Sequence, residues 1–129
     1  MSAHFDNRTD CPAVKRATKA FVDTFLAEAM PHLTLAARGC GYALAVHGSR
    51  SRDIDIIAVP WTETADTADL LVDRLCGALA GLLGRALKMK DWTDKAHGRR
   101  ATTILLPGMC PEIDLSVMPR SIKPETEDA

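Results

Sequence analysis

Residues 42–59 read YALAVHGSRSRDIDIIAV, and the fold turns on this stretch. Tyr42 to His47 is a short apolar run, followed by a turn of Gly48, Ser49, Arg50, Ser51 and Arg52. Asp53 to Val59 is rich in β-branched residues, alternates polar with apolar at its start and closes at Pro60-Trp61. Runs of this length and composition, bounded by turn residues, read as two strands. In a strand, residues i and i+2 share a face. Asp53 and Asp55 therefore project to one side, while Ile54, Ile56 and Ala58 point to the other and can be buried.

Upstream, the period is helical. Val14, Phe21, Val22, Phe25, Leu26 and Met30 predict a helix from about Cys11 to Met30. Asp10 is placed to cap it, and Pro12 fits a first turn that needs no amide donor. Pro31 is expected to break or kink this helix, with a second short piece over His32–Arg38 stopping at Gly39. Downstream, Leu71, Val72, Leu75, Cys76, Leu79, Leu82 and Leu83 give a helix over 64–83, capped near Thr64. Three more strands are predicted at Arg85–Asp91, Ala101–Leu106 and Glu112–Met118, with Thr93–Arg100 as a loop. The order of elements implies an α+β fold: a small mixed sheet of about five strands with helices packed on one face.

The strand over 112–118 repeats the pattern of 53–59. Ile113, Leu115 and Val117 form its apolar side, leaving Asp114 and Ser116 on the other. If the two strands are neighbours, Asp53, Asp55 and Asp114 converge on one patch of sheet. Like charges that close drive protonation unless something compensates them. A divalent cation does so, and an all-oxygen donor set suits Mg²⁺ or Mn²⁺, which take substrate phosphates as remaining ligands. The plainer reading of the same alternation is a solvated outer face.

At 129 residues the chain has the size of one domain. Residues 10–118 are read as that domain, and the polar, aperiodic ends 1–9 and 119–129 as flexible. Sixteen Lys and Arg oppose seventeen Asp and Glu, for a formal charge of -1. That balance excludes bulk wrapping of DNA or coating of an anionic membrane. No apolar run approaches the roughly 20 residues needed to cross a bilayer. MSAHFDNRTD at the start lacks the apolar segment of a signal peptide, so the expectation is a cytoplasmic protein. Cys11, Cys40, Cys76 and Cys110 form no C-x-x-C pair and read as small buried hydrophobes rather than disulfides or zinc ligands. His47 reads as a strand-end histidine satisfied by backbone, with a phosphate or metal contact as its alternative. The loop DKAHGRR at 94–100 is either a solvated hairpin loop or, if it lies on the Asp side, a lid over an anionic substrate. Trp61 and Trp92 read as core or rim packing. Aromatics make up only 5% of the chain, which argues against an RNA-binding sheet of exposed rings.

ALAVHGS at 43–49, DIDIIAV at 53–59 and EIDLSVM at 112–118 together resemble the nucleotidyltransferase superfamily, the polymerase-beta-like fold. Its pattern is an apolar strand ending in Gly-Ser, a strand opening Asp-x-Asp and a third Asp on a later strand. The run G-S-x-x-R-D-x-D is also similar to that of minimal nucleotidyltransferase-like proteins of phages and prophages. The resemblance spans residues 42–118 and implies Mg²⁺- or Mn²⁺-dependent transfer of a nucleotide from an NTP, with release of pyrophosphate. Asp53 and Asp55 would bind the metal ions, and Asp114 would bind one of them and act as base. Gly48 and Ser49 would hold nucleotide phosphate, and Arg50 and Arg52, with Arg99 and Arg100, would neutralise its charge. The acceptor, whether protein, RNA or small molecule, is not indicated. The family places a longer connector between Gly-Ser and Asp-x-Asp, where here only Arg50, Ser51 and Arg52 intervene. Two other functions fit the same residues: a catalytically inactive binding module of phage or prophage origin, and metal-dependent phosphodiester hydrolysis.

Overall fold

The first helix, α1, runs unbroken from Pro12 to Gly39, with Pro31 inside it. The expected break is therefore corrected to one continuous helix. Val22, Phe25, Leu26, Ala29, Leu33 and Ala37 are buried, a single stripe that passes straight across Pro31. Burial on both sides of the proline outweighs the one hydrogen bond its ring removes. Ala27, whose carbonyl loses that partner, is exposed, so water can replace the bond. Pro12 occupies the first turn as expected, after an exposed Cys11. Cys11 is thus no buried hydrophobe, because the buried stripe begins only at Val22. Val14 and Phe21 likewise stay exposed.

The structure, a computed structural model, describes residues 11–50, 52–88, 91–108 and 111–120. Asp10, Ser51, Cys110 and the ends 1–9 and 121–129 lie outside the described residues. Pro119 and Arg120, counted with the tail in the sequence, contact the body. A Cβ on Gly98 would sit 3.3 Å from Pro119, and the Arg120 guanidinium donates to the Ala65 carbonyl at 3.2 Å.

The second helix, α2, spans Ala68–Leu83 and starts later than its apolar period suggests. Thr67 is its cap, accepting the Leu70 N–H at 3.2 Å. The preceding residues are held elsewhere: the Trp61 and Asp66 N–H groups donate to the carbonyls of Gly41 and Cys40. The Tyr42 hydroxyl donates to the Asp66 carbonyl at 2.7 Å. The chain at 61–66 is thereby tied to the start of the sheet and cannot join the helix.

The strands are β1 (Tyr42–His47), β2 (Ile54–Pro60), β3 (Leu87–Lys88), β4 (Thr93–Asp94), β5 (Arg100–Leu105) and β6 (Ile113–Val117). Their order across the sheet is β1-β2-β6-β5-β3, with β4 also paired to β5. The expected strand at 85–91 is replaced by two short pieces that pair with opposite ends of β5. Between them the Asp91 carbonyl accepts the Thr102 hydroxyl at 3.1 Å, a side-chain bond off the ladder. The second piece falls in what the sequence reads as a loop. β2 and β6 run parallel, and the other pairs are antiparallel. Ile54, Ile56, Ala58, Ile104, Ile113, Leu115 and Val117 are buried in one cluster with Leu71, Val72, Leu75 and Leu79 of α2 and the stripe of α1. The fold is α+β, with both helices on one face of a mixed sheet. Among the described residues no helix is long and apolar enough to cross a membrane.

Candidate functional site

The opposite face of the sheet carries the acids. Strand register places His47, Asp55, Asp114 and Thr103 side by side across β1, β2, β6 and β5. Alternation puts this row on the side opposite the helices, because Ile54, Ile56, Ile113 and Leu115 on either side of the two acids are buried. Neighbouring strands are about 4.8 Å apart, so Asp55 and Asp114 are adjacent on the sheet. Asp53 lies just before β2, one residue short of its first pair, Ile54 with Ile113.

The charges of the neighbouring acids reach Asp114. The Asp114 carboxyl is pushed above its ordinary range, first by burial and then by the charges of Asp53, Asp55 and Glu112. A hydrogen bond from the Thr103 hydroxyl, 3.4 Å from Asp114 Oδ1, pulls it partly back. Thr103 was not evident as a site residue. Its signal lies in ATTILL at 101–106, where burial of Thr102 and Ile104 turns 101 and 103 to the acid side.

The Gly-Ser turn packs directly on this row. Gly48 has φ 83°, and a Cβ there would lie 2.7 Å from Asp55 Oδ2. The positive φ calls for glycine, and a side chain there would push the Asp55 carboxylate aside. Ser49 and Arg52 are exposed in the same turn. Arg50, in contrast, is turned to α1: its Nε donates to Asp23 Oδ1 at 2.9 Å. Asp23 also takes Lys19 at 2.8 Å, and the two cations hold its carboxyl below the usual carboxylate range. His47 is exposed on the acid face beside Asp55, not satisfied within a buried strand end.

A depression of about 520 Å³ opens next to Asp114. Thr103, Asp114 and Ser116 line one side, and Thr93, Lys95 and Arg99 the other. Part of the 94–100 segment therefore does lie on the Asp side. Arg100 does not: its guanidinium carbon sits 4.4 Å from the centre of the Trp92 ring, and Trp92 Nε1 donates to Asp69 of α2 at 2.8 Å. Trp61 stands 60% exposed, at the surface and out of the core. Away from the acid face, burial and then the charge of Asp66 push the Cys40 thiol up, which makes it a poor nucleophile.

Among the described residues, no group of three or more His, Cys, Asp or Glu side chains is placed to hold a metal ion. The row offers carboxylate oxygens, and burial followed by the charges of Asp53, Asp55 and Glu112 raises Asp114. No protein-family model matches the chain, and no curated protein matches it. The functional reading rests on the residues themselves.

Proposed function

We propose that the face opposite the helices is the active site of a nucleotidyltransferase-like enzyme that moves a nucleotide from an NTP to an acceptor hydroxyl. The observation that carries this reading is the parallel pairing of Asp55 with Asp114, with the charge of Asp53 felt at Asp114. Asp53, Asp55 and Asp114 would hold Mg²⁺ or Mn²⁺, which when bound supplies charge neutralisation to the phosphates. Asp114 is the acid best able to take a proton, because burial and its neighbours favour its protonated form. The acceptor oxygen attacks the α-phosphorus as its proton passes to Asp114, and the bond to the leaving pyrophosphate breaks. Thr103 orients the receiving carboxylate through Oδ1. Gly48 leaves room for Asp55 and brings the backbone of the turn to the same place.

The test is thermal unfolding with Mg²⁺ or Mn²⁺, with and without each NTP, for the parent and for Asp53→Ala and Asp55→Ala. Ligand at 100 times its Kd stabilises by about 2.7 kcal/mol, a rise of several degrees. The expected shift requires metal and nucleotide together and is lost in both variants. No shift with any pair overturns the reading and leaves the inactive binding module, which the engagement of Arg50 by Asp23 favours.

A further inference from the structure

The far end of the depression beside Asp114 is built by the turn between β4 and β5. The ladder pairs Thr93 with Ala101 and Asp94 with Arg100. One step further, the Lys95 N–H donates to the Arg99 carbonyl at 2.7 Å. His97 and Gly98, at φ 64° and 78°, close the turn. Alternation then sets Lys95 and Arg99 on the face of Ala101 and Thr103, opposite to Arg100. Arg99 and Thr103 are four residues apart on an extended chain, about 13 Å. Between them the floor is Ala101 and Ser116, a register pair of small residues. The depression is therefore a trough with Asp114 at one end, Lys95 and Arg99 at the other, Asp91 also in its lining, and small residues on the floor between.

The cationic end is incompletely satisfied. Arg99 Nε is buried and has no hydrogen-bond partner among the described residues. Arg99 as a whole is half-buried and lines the trough, and phosphate oxygens match the planar fork of a guanidinium. We infer that Lys95 and Arg99 form a phosphate-recognition site, so that a small phosphorylated substrate lies along the trough with its reacting group at Asp114. This rests on reading the acid row as a site of nucleotidyl transfer. The volume of about 520 Å³ is that of a small-molecule site, typically about 300–1,000 Å³. Two cations in a chain of net charge -1 suit a small phosphorylated molecule and not a polynucleotide, which needs a basic track. Arg99, not Arg50, then becomes the guanidinium of the site, since Arg50 is committed to Asp23.

The phosphate could belong to the donor, as the NTP tail, or to the acceptor, as a phosphomonoester. Calorimetric titration of the full chain with tripolyphosphate and with ribose 5-phosphate separates them, with and without Mg²⁺. Arg99→Gln and Lys95→Met are each expected to weaken the probe that uses the site by about tenfold or more, as for loss of a charge-assisted contact. Preference for tripolyphosphate assigns the site to the donor, and preference for ribose 5-phosphate assigns it to the acceptor. Lys95 is exposed, so Lys95→Met reports on binding even if Arg99→Gln alters folding. Failure of both probes to bind the parent, or equal binding by parent and both variants, overturns the inference. Metal-dependent NTP binding that is lost in Asp55→Ala yet indifferent to both cation variants sinks this site alone and leaves the acid row standing. Cation-dependent binding of a probe, with no metal-dependent NTP binding, upholds the phosphate site and sinks the transferase.

Discussion

Strands β2 and β6 carry two faces governed by opposite demands. Toward the helices, Ile54, Ile56, Ile113 and Leu115 are at most 1% exposed. One residue along each strand, Asp55 and Asp114 face the other way, away from the two helices of the described residues. The first set gains by leaving water, whereas the second holds like charges close together, offset in part at Asp114 by the Thr103 hydroxyl. The contrast shows how the acids stay put. Each shares a backbone with close-packed neighbours, so the core fixes the spacing that repulsion would otherwise relax.

Breaking the covered face has the largest effect. Leu115→Ala should destabilise the protein by about 2–5 kcal/mol, read from the denaturant midpoint. Ser116→Ala, the next residue on the opposite face, should stay within about 0.5 kcal/mol. Equal losses at the two positions would erase the distinction between faces.

An intermediate effect is expected where the turn meets the acid row. Gly48→Ala puts a side chain at φ 83° and a methyl against Asp55 Oδ2. The cost should be about 1–3 kcal/mol. Any metal- and nucleotide-dependent thermal shift should fall with it, because Asp55 must move. Retention of that shift in a folded Gly48→Ala would separate the turn from the site.

The smallest effect has the opposite sign and sharpens the comparison most. The folded-state pKa of Asp114 is raised, so its protonated form favours folding. That contribution is complete below the unfolded value of about 3.9 and is lost as pH rises through the folded one. Asp114→Asn should therefore raise the Tm at neutral pH, with the gap to the parent closing toward pH 3. A lower Tm at pH 7 would mean that the carboxylate is held by favourable contacts and not crowded by its neighbours.

Periodicity exposed the two faces but not the neighbours. Alternation in DIDIIAV and EIDLSVM gives the strands within a residue or two and the correct side for each acid, because burial imposes the period locally. That β2 lies beside β6, in parallel, is a pairing across the fold that no local pattern carries. Pro31 misled for a related reason: its penalty is local, whereas the stripe from Val22 to Ala37 that overrides it is tertiary. The commitment of Arg50 to Asp23, 27 residues away, is equally invisible in a turn that otherwise invites phosphate. That Lys95 and Arg99 line one depression with Asp114 depends on the pairing of β4 with β5, which no local pattern carries.

The parallel pairing of β2 with β6 also sets an order in time. All of α2, β3, β4 and β5 intervene between the two strands, so Asp55 and Asp114 meet only after a long loop has closed. Such closures are entropically late events and slow the folding of the chains that need them. The hairpin of β1 and β2, by contrast, can form locally as soon as its residues leave the ribosome. A chain still being synthesised thus carries Asp53 and Asp55 without their partner, and acquires the complete acidic row only once β6 has been made.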